Sequence, residues 1–434
     1  MMARKAAVAL CLAFCAALIV APWAGHLDDS DAHLYTVLAR HMAADGAWFD
    51  LRYLPGVHPR FREHLPFGFW PYAAALRLFG EGALPWLGAL ASLGTLALVL
   101  WIGERLAGLR AGLVAAMLLA ATESFFRYAG QPRLDPWLML LATASAAPLL
   151  VAREPRYAVA AVFGALAALV KGPFGLLPLA AAGIARAVAL RSWRELWRAG
   201  AACAAASLPA AAFLAASPGW REGYLVRQLL ASAGGGRPDG EQGALQPFVT
   251  VAGRFWPGLP LVFVGLFAAR RNGAAFLIGL WSLALLLLLC VPARKVWHHS
   301  LVAYPALALL AGVGVAAWLD RLRPRAFWTG LATLSAAAVI ASAAGAGRLL
   351  MRPCILDPLR PLLPRAGDIL VVAPQADWKM VAALAAELRL VPWPQSELAG
   401  RAAVAVVRDD AKVDRSGWVE HGRGGGWTLL KAHR

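Results

Sequence analysis

Three carboxylates close to a predicted membrane boundary are the first candidates for chemistry in this chain. Asp28, Asp29 and Asp31 follow the first long apolar segment, and Asp31 opens a stretch with helical spacing of apolar residues. A carboxylate at that boundary can take a proton from an attacking hydroxyl group, so Asp31 is our candidate base. Asp residues are also favoured helix N-caps. Capping explains one of these acids more easily than all three.

Basic residues at the ends of apolar segments form the second set of candidates. Those that the topology below leaves on the outer side are Arg40, Arg127, Arg133, Lys171, Arg294 and Lys295. They run against the usual bias of cationic residues toward the cytoplasm, and their clustering suits a phosphate group. Arg would bind phosphate bidentately and Lys as a point charge. Lys171 has the alternative of simply extending its amine to the membrane surface.

Composition identifies the elements that hold these residues as membrane helices. Of 434 residues, 60% are hydrophobic and 15% are charged, and many apolar stretches approach the roughly 20 residues that cross a bilayer as a helix. The net charge is +17, and many of the arginines lie in short basic clusters between those stretches. This distribution argues against a nucleic-acid-binding patch. The five cysteines show neither metal-binding nor disulfide spacing.

Apolar periodicity and charge together predict about eleven membrane spans. Their ranges are 6–25, 83–102, 109–125, 134–152, 157–171, 173–190, 198–217, 255–269, 273–292, 300–319 and 326–346. A cytoplasmic N-terminus then places the basic loop clusters inside and the C-terminus outside. The first segment lacks a small-residue cleavage site, so we expect a retained span rather than a signal peptide.

Three predicted outer segments are longer than a connection requires. In the first, residues 26–82, the residues at helical spacing are Leu34, Tyr35, Leu38 and Met42. That stretch and the apolar run 67–79 are predicted as helices lying in the membrane interface. The second segment, 218–254, contains a Gly/Pro-rich turn at 234–240, expected to be mobile.

The third outer segment is the tail, whose pattern changes to strand, helix and strand. Short β-type runs begin at Ile369, Ala403 and Trp427. A helix is predicted near 377–389. We therefore predict a transmembrane domain over 1–349 and a small extramembrane α/β domain over 350–434, linked by the Pro-rich residues 353–364.

Several motifs stand in a fixed order between residues 5 and 320. They are Asp31-x-x-x-Tyr35 with Ala39-Arg40-x-Met42 and Gly46-x-Trp48, Arg62-Glu63-His64-Leu65-Pro66, Arg133-Leu134-Asp135-Pro136, Lys171-Gly172-Pro173, and Arg294-Lys295 before His298, His299, Tyr304 and Pro305. This order resembles the bacterial GT-C membrane glycosyltransferases related to the aminoarabinose transferase of lipid A and to the protein O-mannosyltransferases. Each motif is short, so their order carries the resemblance.

The resemblance implies an all-α polytopic membrane protein of the GT-C type, with a small C-terminal α/β domain. It implies transfer of a hexosyl or pentosyl group from a polyprenyl-phosphate carrier in membrane lipid to a lipid, glycan or protein acceptor. The reaction would occur on the periplasmic side of a bacterial inner membrane. The implied catalytic residues are Asp31, Glu63 and Asp135. The implied substrate-binding residues are Asp28, Asp29, Tyr35, Arg40, His64, Arg133, Lys171, Arg294, Lys295 and His299.

Three departures from the family pattern bear on these roles. Ala32 stands where a Glu usually follows the first Asp, and His64-Leu65-Pro66 replaces Lys-Pro-Pro. Arg227-Gln228 stands where related transferases often carry Glu-His, which removes a histidine from any metal site there. A divalent cation held by Glu63 and Asp135 is a further hypothesis, because two carboxylates can bind one.

Other readings stay open at this stage. Glu63 could be a solvated loop charge, Asp135 a helix start beside Pro136, and the two histidines interfacial residues. A transporter or flippase of lipid-linked sugars would place ionisable residues in mid-span, whereas here they concentrate at span ends. An O-antigen ligase or polymerase would need an essential Arg or His in a large late outer loop and nothing from Asp31.

Overall fold

Helices form most of the chain that the computed structural model describes. It describes residues 2–20, 30–53, 60–235, 243–319, 324–343, 359, 369–372, 393–395, 404–409 and 417–432. The first helices are α1 (Met2–Val20), α2 (Ser30–Asp45), α3 (Trp70–Phe79), α4 (Leu84–Ala107), α5 (Leu109–Ala121), α6 (Glu123–Ala129), α7 (Leu134–Leu150), α8 (Tyr157–Lys171) and α9 (Leu177–Leu190). The later ones are α10 (Trp193–Ala216), α11 (Pro218–Trp220), α12 (Ala231–Gly234), α13 (Gln246–Arg254), α14 (Leu259–Ala268), α15 (Gly273–Cys290), α16 (Tyr304–Leu319) and α17 (Pro324–Ala343).

Short non-α turns connect several of these helices. Turns of 3₁₀-helix occupy Pro66–Phe69, Glu81–Ala83, Gly172–Leu176 and Trp297–Ala303, and a π-helix occupies Arg221–Leu230. Long π-helical runs are rare and often occur at functional sites. Residues 234–240, the predicted mobile turn, lie mostly outside the described residues.

Apolar helices occur at every predicted span. Within the described chain, five helical stretches are long and apolar enough to cross a membrane, or up to seven if each of two bent pairs counts as one span. Three more apolar helices are shorter, Val8–Ile19, Leu134–Leu150 and Ala326–Ala341. The prediction of a polytopic helical membrane protein is therefore confirmed.

Two predicted spans are bent instead of straight. In span 109–125, α6 leaves α5 at 74°, because Thr122 departs from helical backbone angles with φ −74° and ψ 119°. Span 255–269 contains the ten-residue α14, which α13 meets at 111°. Pro257 lies at this break, where a proline cannot donate the backbone hydrogen bond that would continue a helix.

Residues 157–190 fold back on themselves, as the prediction of two separate spans requires. Gly172 follows α8 with φ +59°, a left-handed conformation that favours glycine. Tyr157 at the start of α8 and Arg186 near the end of α9 both donate to Glu195 of α10, at 2.7 and 2.5 Å. The two helices are therefore antiparallel, and their turn brings Lys171 to one end of the bundle.

Small residues permit close approach of the central helices. A Cβ added to Gly112 of α5 would lie 2.2 Å from the carbonyl oxygen of Leu100 in α4. A Cβ added to Gly312 of α16 would lie 2.5 Å from the carbonyl oxygen of Ala111. Helix α16 is buried along most of its length among α5, α14 and α15. Such contacts are typical of membrane helix bundles, where packing replaces the hydrophobic effect as the driving force.

Helix α2 differs from the interfacial helix that the sequence predicted. The predicted apolar face is buried, but all of residues 32–39 are buried as well. Protein therefore encloses this helix on most sides, and it has no broad apolar face left for lipid. The adjoining α3 keeps the expected exposed apolar end at Leu78 and Phe79.

The tail contains a mixed five-stranded sheet. Its strands are β1 (Ile369–Val372), β2 (Trp393–Gln395), β3 (Val404–Arg408), β4 (Trp418–Gly424) and β5 (Trp427–Ala432), in the spatial order β2-β1-β3-β5-β4. Strand β1 pairs in parallel with β2 and β3, and β5 pairs antiparallel with β3 and β4. Strands β1, β3 and β5 were predicted and β2 and β4 were not. The helix predicted near 377–389 lies outside the described residues.

Candidate active site

A cavity of about 710 Å³ brings together segments that are distant in sequence. Its walls are the first turns of α2, the loop at 60–64, the turn after α8, the π-helix and the segment 292–299. Seven of the predicted site residues line it, namely Asp31, Tyr35, Glu63, His64, Lys171, Arg294 and His299. These seven predicted residues therefore share one cavity.

A chain of four alternating charges lies beside this cavity, with Asp31 and Lys171 in its lining and the other two residues behind them. Arg133 Nη2 donates to Asp31 Oδ2 at 3.0 Å, and Arg133 Nε donates to Asp135 Oδ2 at 3.1 Å. Lys171 Nζ donates to the other oxygen, Asp135 Oδ1, at 2.8 Å. The two acids and two bases balance in charge. We call Asp31, Arg133, Asp135 and Lys171 the charge cluster.

Burial within the charge cluster is uneven. The side chains of Arg133, Asp135 and Lys171 are 1%, 2% and 5% exposed, whereas that of Asp31 is 24% exposed. The Arg133 guanidinium also lies 3.9 Å from the centre of the Tyr128 ring. Buried charges persist only when they are paired, because an unpaired one loses its hydration without compensation. Asp31 is therefore the cluster carboxylate most accessible from the cavity.

Two residues of the charge cluster lie at helix ends that stabilise their charges. Asp135 lies in the first turn of α7, and Lys171 is the last residue of α8. A helix N-terminus stabilises an anion and a C-terminus stabilises a cation. The bundle brings these two ends together, although 36 residues separate them in sequence.

Tyr35 and His64 form a hydrogen-bonded pair beside Asp31. The Tyr35 hydroxyl and His64 Nε2 are 2.8 Å apart, and their rings meet edge to face. Burial is the main cause that lowers the pKa of His64, and the positive charge of Lys171 lowers it further. A neutral imidazole whose Nε2 carries no proton can accept a hydrogen bond from the tyrosine hydroxyl. His64 therefore does not supply the cation that a Lys would provide at this position.

A second part of the cavity lining carries two adjacent histidines and an arginine. Both His298 and His299 line the cavity, and the His299 ring lies 4.2 Å from that of Phe174. The backbone N–H of Arg294 donates to the carbonyl oxygen of Ser232 at 2.9 Å. This bond joins segment 292–299 to the wall that contains the π-helix.

Several cavity residues were not predicted as site residues. They are Tyr53, Arg60, Arg62, Tyr224, Gln228, Ser232 and His298. Arg62 stacks over Trp220 at 4.2 Å and pairs with Asp50. Arg60 and Arg62 lie in the same polar loop as Glu63. That proximity was the indication in the sequence that they belong to the site. The π-helix has no recognisable sequence pattern, and its contribution could not be predicted.

Other predicted residues lie elsewhere. Arg40 forms a two-point salt bridge with Glu81, at 2.6 and 2.8 Å, away from the cavity lining. Lys295 donates to the carbonyl oxygen of Pro292 at 2.7 Å and is not among the cavity-lining residues. Arg127 pairs with Glu123 on α6. Asp28 and Asp29 lie outside the described residues, so their binding role stays a prediction.

The hypothesis of a metal between Glu63 and Asp135 does not fit this arrangement. Both carboxylate oxygens of Asp135 already accept hydrogen bonds from cationic side chains. Within the described ranges, no group of three or more His, Cys, Asp or Glu side chains could hold a metal ion. We therefore assign no step of the chemistry to a metal.

The helical bundle and the tail sheet have the fold of the GT-C membrane glycosyltransferases, as the motif order predicted. Among solved structures, ArnT from Cupriavidus metallidurans bound to undecaprenyl phosphate matches with a TM-score of 0.70 at 19% identity, over 98% of this chain and 97% of ArnT. The Archaeoglobus fulgidus oligosaccharyltransferase in its apo form matches with a TM-score of 0.56 at 14% identity, over 90% of this chain and 64% of that one. A structure of AglB from the same organism, in complex with an inhibitory peptide and a dolichol-phosphate, matches with a TM-score of 0.56 at 12% identity, over 94% and 69% of the two chains. No protein-family model and no curated protein sequence matches the chain.

Proposed function

We propose that this protein is a glycosyltransferase that moves a hexosyl or pentosyl group from a polyprenyl-phosphate carrier to a lipid, glycan or protein acceptor. The observation that carries the proposal is the half-buried carboxylate of Asp31, held by Arg133 at the edge of a large cavity. Its position in a GT-C fold adds support, because ArnT is bound to undecaprenyl phosphate and AglB to a dolichol-phosphate in structures that share this fold.

The charges around the cavity suit a phosphate leaving group. Its lining carries the cations Arg60, Arg62, Lys171 and Arg294 and the acids Asp31 and Glu63. Arg62 and Lys171 are also paired with Asp50 and Asp135, so the positive charge that a ligand meets is smaller than this count. As the bond from sugar to phosphate breaks, negative charge grows on the phosphate, and fixed cations stabilise that charge. A phosphate is a weak base, so it leaves without an obligatory general acid. Arg294 and Lys171 are our candidates for this contact.

Asp31 would act on the acceptor, and Asp135 would act through its neighbours. In direct displacement, Asp31 takes the proton of the attacking hydroxyl, and the sugar is transferred with inversion. If the acceptor is itself a phosphate, no base is needed, and Asp31 orients the acceptor or the sugar. Asp135 is sealed from the cavity by its two ion pairs. We therefore reassign it from the predicted catalytic role to a positioning role.

The side of the membrane on which the cavity opens is inferred from the distribution of basic residues among the loops. A cytoplasmic N-terminus places the cavity-forming loops and the tail outside, which is the periplasm for a bacterial inner membrane. A polyprenyl chain would then remain in the bilayer while its sugar phosphate enters the cavity. The same proposal includes the division of the chain into a transmembrane domain over 1–349 and a periplasmic α/β domain over 350–434.

Transfer of labelled sugar from polyprenyl phosphate by purified protein tests this function. The key variant is Asp31→Asn, which we expect to lower the transfer rate by about a hundredfold or more, since a positioned base contributes about 10² to 10⁴. Asp45→Asn is the matched control on the same helix, because the Asp45 carboxylate forms an exposed pair with Arg52.

Each outcome of this assay has a clear meaning. Undiminished transfer by the Asp31 variant would contradict its assignment while leaving the glycosyltransferase proposal intact. Absence of transfer by the wild-type protein across polyprenyl-phosphate donors would contradict the proposed reaction. That result would favour a transporter or flippase, for which counterflow of the lipid-linked sugar in liposomes is the direct measurement.

A further inference from the structure

Tyr224 is a buried polar residue of the cavity that none of the contacts above uses. It lies on the π-helix Arg221–Leu230 and is 5% exposed, yet it is part of the cavity lining. Its hydroxyl makes no hydrogen bond to any residue in the part of the chain that the structure describes. The ring is buried, but the hydroxyl is not among the enclosed polar atoms of the described residues that lack a partner, so it is open to the cavity. A donor that faces a cavity in this way is accessible to a ligand that enters it.

The hydroxyl of Tyr224 lies directly over the turn that follows α8. A Cβ added to Gly172 would be 1.9 Å from the hydroxyl oxygen, so only glycine leaves room for it. The positive φ of Gly172 independently favours glycine at the same position. The preceding residue, Lys171, lines the same cavity. A phenol and an ammonium group thus lie on adjacent parts of one wall.

The phenol and the cations of this wall favour a ligand group that is anionic and accepts hydrogen bonds. Burial raises the pKa of Tyr224, so the phenol keeps its proton and acts as a donor. The cavity lining includes the cations Arg60, Lys171 and Arg294, and these attract a negatively charged group to the same space. A phosphate oxygen meets both demands, because it accepts hydrogen bonds and carries charge.

We infer that Tyr224 donates a hydrogen bond to the phosphate of the polyprenyl carrier and thereby positions it beside Lys171. This inference rests on the proposed function, since it assumes a polyprenyl-phosphate ligand in the cavity. It adds a phosphate contact that motif order does not reveal, on a wall contributed by the π-helix. It also explains why the turn after α8 needs a residue without a side chain.

Equilibrium binding of two lipids to the full-length protein in nanodiscs tests the inference. The probes are undecaprenyl phosphate and undecaprenol, which differ only in the phosphate. Tyr224→Phe keeps the ring and removes the hydroxyl. We expect it to weaken undecaprenyl phosphate binding about ten- to a hundredfold, the range for a hydrogen bond to a charged group. Undecaprenol binding should stay unchanged.

The matched control is Tyr157→Phe, whose hydroxyl donates to Glu195 away from the cavity and should not affect either affinity. Gly172→Ala should reproduce the selective loss of phosphate affinity, since its Cβ would occupy the place of the hydroxyl. If Tyr224→Phe weakens both lipids equally, or neither, the inference is overturned and the proposed function stands. If the wild-type protein does not distinguish the two lipids, the proposed polyprenyl-phosphate donor is itself overturned.

Discussion

The charge cluster makes a strong prediction about paired substitutions of Asp135 and Lys171. Lys171→Met leaves Asp135 with a single cationic partner, and Asp135→Asn leaves Arg133 and Lys171 with an uncompensated positive charge. Their side chains are at most 5% exposed, so water cannot replace the missing partner. Breaking a buried ion pair from one side costs about 3–5 kcal/mol. We expect each single variant to lose stability of that order.

The double variant should lose much less stability than the sum of the losses in the two single variants. With both charges removed, Arg133 and Asp31 remain as a neutral pair at 3.0 Å. The coupling between the two sites should therefore reach about 2–3 kcal/mol, near the upper end of the range for residues in direct contact. In a protein of this size, each single change should lower the apparent unfolding temperature by roughly 3–6 °C.

The assay is thermal unfolding of the purified protein in one detergent at a fixed scan rate, because unfolding of membrane proteins is commonly irreversible. The exposed pair of Arg52 and Asp45 provides the control cycle, since exposed ion pairs contribute about 1 kcal/mol or less. Single variants as stable as the wild type, or losses that simply add, would refute the assignment of a buried, mutually dependent cluster.

Two further predictions concern residues near the cavity. Arg40→Met should keep sugar transfer within about threefold and lower stability by about 1 kcal/mol or less, because Arg40 pairs with the half-exposed Glu81; a large selective loss of transfer would place Arg40 in the site after all. The lowered pKa of His64 means that the unfolded chain takes up a proton first as the pH falls below about 6.5, so this residue destabilises the fold progressively in acid, by at most about 1.4 kcal/mol per pH unit. The apparent unfolding temperature between pH 7.5 and 5 should therefore fall more steeply for the wild type than for His64→Gln, and equal slopes would contradict this.

Local patterns in the sequence predicted the elements better than the contacts between them. Apolar runs located the membrane helices, and the spacing of Leu34 and Leu38 predicted α2. The same spacing could not show that α2 is enclosed, because both lipid and protein interiors select apolar side chains. The bend between α13 and α14 coincides with Pro257, which a prediction from the length of apolar runs does not take into account.

The sequence predicted part of the residues that line the candidate site, but not the contacts between them. Asp135 and Lys171 were each predicted from motifs, but their pairing depends on the antiparallel return of α8 against α7. Arg40 was assigned to phosphate because it is an outer cation, and only the fold reveals Glu81 as its partner. Tyr224 lies in no motif, and its role depends on a π-helix and on space above Gly172.

The residues of the charge cluster differ in burial, and this difference indicates a different role for each. Arg133 and Asp135 are almost fully buried, whereas Asp31 remains 24% exposed. A group that reacts must be reachable, and a group that fixes its geometry is best sealed from water, where its ion pairs are strongest. The cluster therefore holds one accessible carboxylate on a rigid base of paired charges. On this argument, loss of Asp31 removes a reacting or orienting group, whereas loss of Asp135 displaces Arg133 and affects transfer and stability together.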